Sequence, residues 1–282
     1  MGGRVYALAY LPDAPVLGLG AAFLTAVAVT YLAVAGWPFW PRRSNYRGHL
    51  VPQAGAAVWW GAGVGLLTLW WRGFDRVEAG LMLAAVTVLF LAGLLDDCWP
   101  GIQGKGLRGH LRYWWQMGPD PALIKAASGV AVGLAQAAFR GLPCWQGILD
   151  TATVALAANT INLLDLRPGR ALKGLLFLAG LLLVLTGGQA LALLAPLVGA
   201  AVAFLRFDLR ERAMLGDAGA NALGAGLGMA AVLSLGPAPE AGLTGALFVL
   251  HLYAERESLS RLIERVPWLA RLDGLGRYPA ER

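Results

Sequence analysis

Between Lys173 and Arg206 the chain reads GLLFLAGLLLVLTGGQALALLAPLVGAAVAFL, residues Gly174–Leu205, without a single ionisable side chain. A bilayer span needs roughly 20 predominantly apolar residues. As one helix rising about 1.5 Å per residue, this run would far exceed a hydrocarbon core of about 30 Å. It is therefore read as two spans. Gly187-Gly188-Gln189 is the natural break, because paired glycines end helices and make tight turns.

The rest of the chain follows the same rule. Apolar residues make up 57% of the 282 positions and charged residues only 14%, against about 45–50% and about 25% in soluble globular chains. Such a composition cannot cover a soluble surface of ordinary polarity, and it excludes fibrous, disordered and disulfide-rich secreted classes. Windows of about 19 residues place spans near 15–36, 54–71, 77–95, 121–139, 147–164, 172–187, 189–205, 218–236 and 240–256. The expected fold is an all-α polytopic integral membrane protein of nine spans, with ten as the near alternative. Residues 1–256 are expected to form one transmembrane helical domain, and 257–282 a cytoplasmic amphipathic tail lying on the membrane surface.

The formal charge of +6 is explained by the excess of Lys and Arg on cytoplasmic loops, so nucleic acid is not an expected partner. With the amino terminus outside, connections 37–53, 96–120, 165–173 and 206–217 and the chain from about 256 onward fall on one face. They carry 18 of the 23 basic residues. Arg4, Arg72, Arg76 and Arg140 fall on the other, and Lys125 sits just inside a span. The stretch from Pro15 to Gly36 is of full span length, lacks a clear cleavage site and is read as a span rather than a signal peptide. Tyr6 stands where a myristoylation motif wants Ser or Thr. Cys98 and Cys144 imply no disulfide framework.

Four polar segments interrupt the apolar background, all on the basic face. They are Asn45–Gly55, Leu94-Leu95-Asp96-Asp97, Asn159-Thr-Ile-Asn162-Leu-Leu-Asp165, and Leu215-Gly216-Asp217-Ala-Gly219. Adjacent carboxylates at a membrane boundary repel each other and are costly to desolvate. A divalent cation makes such a pair favourable. Mg²⁺ suits the setting because it takes one or two carboxylates, keeps waters and bridges phosphates, and Mn²⁺ is an acceptable substitute. Asp217 lies between glycines at a helix start, where N–H groups and the helix dipole favour an anion such as phosphate. Asn159, Asn162 and Asp165, spaced by three, put amides and a carboxylate along one side of a helix. Zinc spacing, a P-loop and a nucleophile elbow are all missing from the sequence. Carboxylates for a metal, amides for a polar ligand and nearby cations for phosphates point to phosphoryl-group chemistry.

In this order and on one face, the segments Leu94–Asp97, Asn159–Asp165 and Leu215–Gly219 resemble those of the polyprenyl-phosphate N-acetylhexosamine-1-phosphate transferases. That group includes the phospho-MurNAc-pentapeptide and GlcNAc-1-phosphate transferases. Asn45…Gly48…Pro52…Gly55 looks like the family's amino-terminal Pro-x-x-Gly-Gly signature, with Ala56 for the second glycine. The resemblance implies a Mg²⁺-dependent enzyme of the bacterial plasma (inner) membrane with its active site in the cytoplasm. A UDP-linked amino sugar would give its sugar-1-phosphate to undecaprenyl phosphate and release UMP, beginning a cell-envelope glycopolymer.

Carried onto this sequence, the resemblance makes Asp96, Asp97 and Asp217 the catalytic set. One member of the Asp96-Asp97 pair would deprotonate or position the lipid phosphate, and Asp97 with Asp217 would hold the metal. Asn162 and Asp165 would line the nucleotide-sugar pocket, with Asn159, Gly216 and Arg47 beside them and Lys105 on the diphosphate. Membrane lipid and a second copy of the chain, as a homodimer, complete the expected partners.

Some residues depart from that pattern. Pro100 stands where many members have a third Asp. Leu166-Arg167-Pro168-Gly169-Arg170 replaces a second Asp-Gly, and the three histidines, His49, His110 and His251, are scattered. The scatter argues against the pentapeptide transferase. The alternatives are a transporter or lipid scramblase whose acids bind ions, and an inactive scaffold paralogue. His110 reads as an interfacial residue and the paired tryptophans as interfacial anchors.

Overall fold

The computed structural model describes residues 14–99, 112, 114–116 and 118–277. Its helices are α1 (Ala14–Gly36), α2 (Gly55–Trp71), α3 (Arg76–Cys98), α4 (Pro121–Phe139), α5 (Cys144–Leu164), α6 (Arg170–Leu185), α7 (Leu191–Leu209), α8 (Gly216–Ser234) and α9 (Pro237–Arg256). These nine match the nine expected spans one for one. Two short helices follow, α10 (Leu259–Arg265) and α11 (Pro267–Gly274). Between α1 and α2 the chain makes a two-stranded antiparallel hairpin, β1 (Arg42–Ser44) and β2 (Leu50–Pro52), with Arg43 opposite Val51.

Local chemistry sets the boundaries. Asp75 caps α3 by accepting from the N–H groups of Val77 and Glu78, and Asp120 caps α4 through Ala122 and Leu123, each satisfying donors that a helix start leaves orphaned. Pro121 follows at the first position of α4, where its missing N–H costs nothing. The charge-free run breaks where its glycines are: α6 stops at Leu185, and Gly187 and Gly188 take φ of +59° and +90°.

The protein is a multi-pass membrane protein. Among the described residues, α1, α3, α4, α5 and α7 are each long and apolar enough to cross a bilayer alone. The other four helices complete the bundle. At 17 and 16 residues, α2 and α6 are shorter than a straight span, and α8 is enclosed by its neighbours.

That enclosure follows from the composition of α8, GDAGANALGAGLGMAAVLS, buried without interruption from Ala218 to Val232. Lipid is as apolar as leucine, so helices associate in a membrane through close packing and need small residues to approach. A Cβ on Gly224 would lie 2.6 Å from the Ala158 Cα of α5, and one on Gly228 would lie 2.8 Å from the Val154 Cα. On another face Gly226 meets Leu197 of α7. Phe204, Leu66, Leu69, Met82 and Ile161 fill the spaces around this axis.

The described parts of the segments bearing the basic residues come together at one end of the bundle. The Gln53 backbone bridges to Met214, and the Met214 N–H donates to the Pro52 carbonyl at 2.8 Å. Arg47 pairs with Glu211 at 3.1 Å, Arg43 reaches the Asp97 carbonyl, and Arg170 pairs with Asp273. The tail packs back onto this end as two short helices.

Candidate active site

At that end the start of α8 is held between α2 and α3. A Cβ on Gly93 would come within 2.7 Å of the Ala218 Cα, and one on Gly219 within 2.9 Å of the Gly55 Cα. Glycine at these positions therefore lets three backbones meet. Gly216 takes φ +68°, a left-handed conformation that costs glycine little. It turns the chain into α8 so that the first N–H groups point toward the end of α3.

Asp97 receives them. Its Oδ1 accepts from the Asp217 N–H at 3.0 Å and its Oδ2 from the Ala218 N–H at 2.9 Å. Gln53 also hydrogen-bonds this side chain. A carboxylate on two orphan donors at the positive end of a helix is a favourable arrangement. It fixes α8 to α3 and so determines where the Asp217 side chain stands.

Asp96, one residue earlier, turns a different way. Its Oδ2 and the Oδ2 of Asp217 each lie 2.7 Å from the Lys125 ammonium. With its amide oriented to satisfy both ends, Asn162 donates to Asp217 Oδ1 at 3.0 Å and accepts from Lys125 at 3.2 Å. Asn221, one turn on in α8, donates to the Asp217 carbonyl at 2.7 Å. Asp165, just beyond α5, hydrogen-bonds the Gly216 backbone. Desolvation pushes its carboxyl well above the usual range, with the charges of Asp208 and Asp217 adding to the effect.

Of the residues expected at the site, Asp96, Asp97, Asn162, Asp165, Gly216 and Asp217 are therefore brought together. Asn159 is exposed on the same helix as Asn162 and makes no side-chain hydrogen bond among the described residues. Arg47 is turned to Glu211, whose carboxylate also accepts from Asn45 at 2.8 Å. Lys105 and His110 lie outside the described residues.

The sequence reading passed over Lys125. A lone lysine one turn into an apolar helix needs an anionic partner, and that was the available signal. Arg43 was also missed: its Nη2 donates to the Asp97 carbonyl at 2.6 Å, placing a guanidinium at the rim of the site.

Among the described residues no three His, Cys, Asp or Glu side chains are grouped to hold a metal ion. The donor chemistry nevertheless fits Mg²⁺, which needs only one or two carboxylates and completes its shell with water and phosphate. Asp96 and Asp217 already converge on one cationic nitrogen. Asp96, Asp97 and Asp217 against Lys125 and the rim guanidinium leave an excess of negative charge that a divalent ion would offset. Asp97, expected beside the metal, has both oxygens on the N–H groups of α8, so Asp96 is the better placed partner for Asp217.

The model of the family described as Glycosyl transferase family 4 matches residues 79–235. That span is more than half of the chain and runs from the first turn of α3 to the end of α8, so it contains all four carboxylates, Lys125 and Asn162.

Proposed function

Because the chain belongs to glycosyl transferase family 4, a family of glycosyltransferase-type membrane enzymes, we propose that it moves a sugar-1-phosphate from a UDP-linked N-acetylhexosamine to a polyprenyl phosphate. The observation that carries this reading is the meeting of Asp96, Asp97, Asp165 and Asp217 with Lys125 and Asn162 around the start of α8. The bundle end offers both solvents the reaction needs, water for the nucleotide sugar and hydrocarbon for the lipid.

An oxygen of the lipid phosphate attacks the phosphorus that bears the sugar. A new P–O bond forms, the bond from that phosphorus to the UMP oxygen breaks, and UMP leaves with the electron pair. A phosphate monoester with a second pKa near 6 is largely dianionic at neutral pH, so the nucleophile needs little help from a base. The difficulty is bringing two anions together, which is a task of positioning and charge compensation.

The residues divide that task. Lys125 supplies fixed positive charge for the diphosphate, and Asp96 and Asp217 keep its ammonium in place. Asp97 holds the first turn of α8 and therefore Asp217. Asn162 and Asp165 face the nucleotide sugar from the end of α5. Mg²⁺, held by Asp96 and Asp217, would supply further compensation of charge on the phosphates. In this reading the end carrying the site faces the cytoplasm of a bacterial cell, where the basic connections belong, and the product begins an envelope glycopolymer.

The test is release of UMP from UDP-GlcNAc and related donors by purified protein with undecaprenyl phosphate and Mg²⁺. The expected result is release that depends on the lipid and the metal and disappears in Asp217→Asn. Release that survives both Asp96→Asn and Asp217→Asn would contradict the assignment.

A further inference from the structure

The matched family region ends at residue 235, yet the helices beyond α9 bond to the turn that carries Asp165. The link starts at Gly169, whose φ of +73° and N–H bond to Asp208 Oδ2 at 2.7 Å shape the turn before α6. Arg170 follows, 5% exposed. Its Nε and Nη2 donate to the two oxygens of Asp273, each at 2.9 Å, and its Nη1 donates to Ser260 Oγ at 2.8 Å. Arg277 donates to the Pro168 carbonyl at 2.8 Å and to Asp273 Oδ1 at 2.6 Å. Lys173 donates to the carbonyls of Leu272 and Asp273.

The rest of the tail contributes little to the core. Helix α11 has no buried residue, and α10 has only Leu259. A segment docked for apolar burial would show the opposite balance. Its bonds run to residues 168–173, and the same turn begins at Asp165 beside Gly216. The bidentate geometry of Arg170 on Asp273 is also directional, so it fixes orientation as well as proximity.

We propose that α10 and α11 form a strap in which Asp273 is a positioning residue: it fixes Arg170, and through Arg170 the turn that sets Asp165 against the nucleotide sugar. This rests on the reading of Asp165 as a pocket residue. The Leu166–Arg170 segment and the strap are then one device, with an arginine in the turn and its counter-charge in the tail.

The experiment compares Asp273→Ala with Glu257→Gln, a change to an exposed pair in the same tail. Two readouts are taken: kcat and KM for the nucleotide sugar, and hydrogen exchange at residues 165–173. For Asp273→Ala the expected result is faster exchange across 165–173 and a higher KM. The fall in kcat/KM should be on the order of 10²-fold, the cost of a small misplacement of a binding group. Glu257→Gln should match the parent. Combining Arg170→Met with Asp273→Met should cost less than the sum of the two changes, because either one alone already removes their shared bidentate contact.

Unchanged exchange and KM would overturn the strap. So would a uniform loss of kcat with earlier global unfolding and unchanged KM, since that marks a merely structural role. A parent protein that turns over no donor would contradict the transferase reading, and the strap would still be decided by the exchange at 165–173.

Discussion

The Lys125 ammonium lies 2.7 Å from the Asp217 carboxylate although 92 residues separate them in the chain. The contact joins α4 to the first turn of α8 and brings a cation into a site otherwise dominated by carboxylates. Lys125→Met should leave Asp96 and Asp217 without their shared partner, costing about 1–3 kcal/mol of stability for the orphaned groups. Turnover should fall on the order of 10²-fold, while a divalent cation binds more tightly because a nearby positive charge is gone. Thermal unfolding with and without Mg²⁺, beside UMP release, checks all three expectations.

Asp97 is read as the anchor of α8. Asp97→Asn keeps an acceptor but loses the charge and one of two oxygens, so it should cost about 0.5–2 kcal/mol, the range for loss of a helix cap. Asp97→Ala should cost more and lower kcat, since Asp217 then loses its fixed place. Unfolding midpoints and kcat for the two variants give the comparison.

The small-residue seam along α8 predicts a sharp contrast between glycines. Gly224→Val would drive a side chain into the Ala158 backbone and should destabilise by about 1–3 kcal/mol or more. Gly180→Ala, in α6 with nothing within 4 Å of the new methyl, should be neutral or stabilising by up to about 1 kcal/mol. Thermal unfolding in detergent distinguishes the two.

At the other end of the bundle lies a second buried polar group. Asp150 Oδ2 accepts from Gln136 at 2.7 Å and Arg140 at 3.1 Å, and Glu240 Oε1 accepts from Thr153 at 2.9 Å. The remaining oxygen of each carboxyl has no hydrogen-bond partner among the described residues. A proton held on Glu240 would supply a missing donor. Glu240→Gln supplies an equivalent donor and should be tolerated, whereas Asp150→Ala strands Gln136 and Arg140 and should cost about 1–3 kcal/mol. Infrared absorption of a protonated carboxyl, lost in Glu240→Gln, checks the proton.

Acid should loosen the tail. Burial pushes the Asp273 carboxyl up, but the Arg170 and Arg277 guanidiniums outweigh it and hold the group below the ordinary carboxylate range. A depressed folded-state value means the contribution is complete above the unfolded value, about 3.9, and is lost as pH falls through the folded one. Proteolytic cleavage of the tail should therefore rise only below about pH 4, and Asp273→Asn should remove that dependence.

Much of this was legible in the chain. The apolar runs were separated by glycines and charges at intervals a bilayer imposes, so nine helices could be placed within a few residues. The basic residues marked one face, and the described parts of the segments carrying them meet at one end of the bundle. The three-residue spacing of Asn159, Asn162 and Asp165 was less reliable. At about 100° per residue, a step of six turns the side chain to about 120° from its starting direction, which is why Asn162 and Asp165 reach the site while Asn159 is exposed. The Arg170–Asp273 pair, 103 residues apart, depends on how the tail folds back, and no local pattern announces it. Lys125 was visible as an isolated charge, but its two partners were not.

The most direct test of the central claim is mass spectrometry of the lipid after purified protein has met undecaprenyl phosphate, Mg²⁺ and a panel of UDP-amino sugars. The account predicts a lipid heavier by one sugar-1-phosphate for at least one donor, formed with UMP and missing in Asp217→Asn. An unmodified lipid with every donor, or the same product from Asp217→Asn, would contradict it.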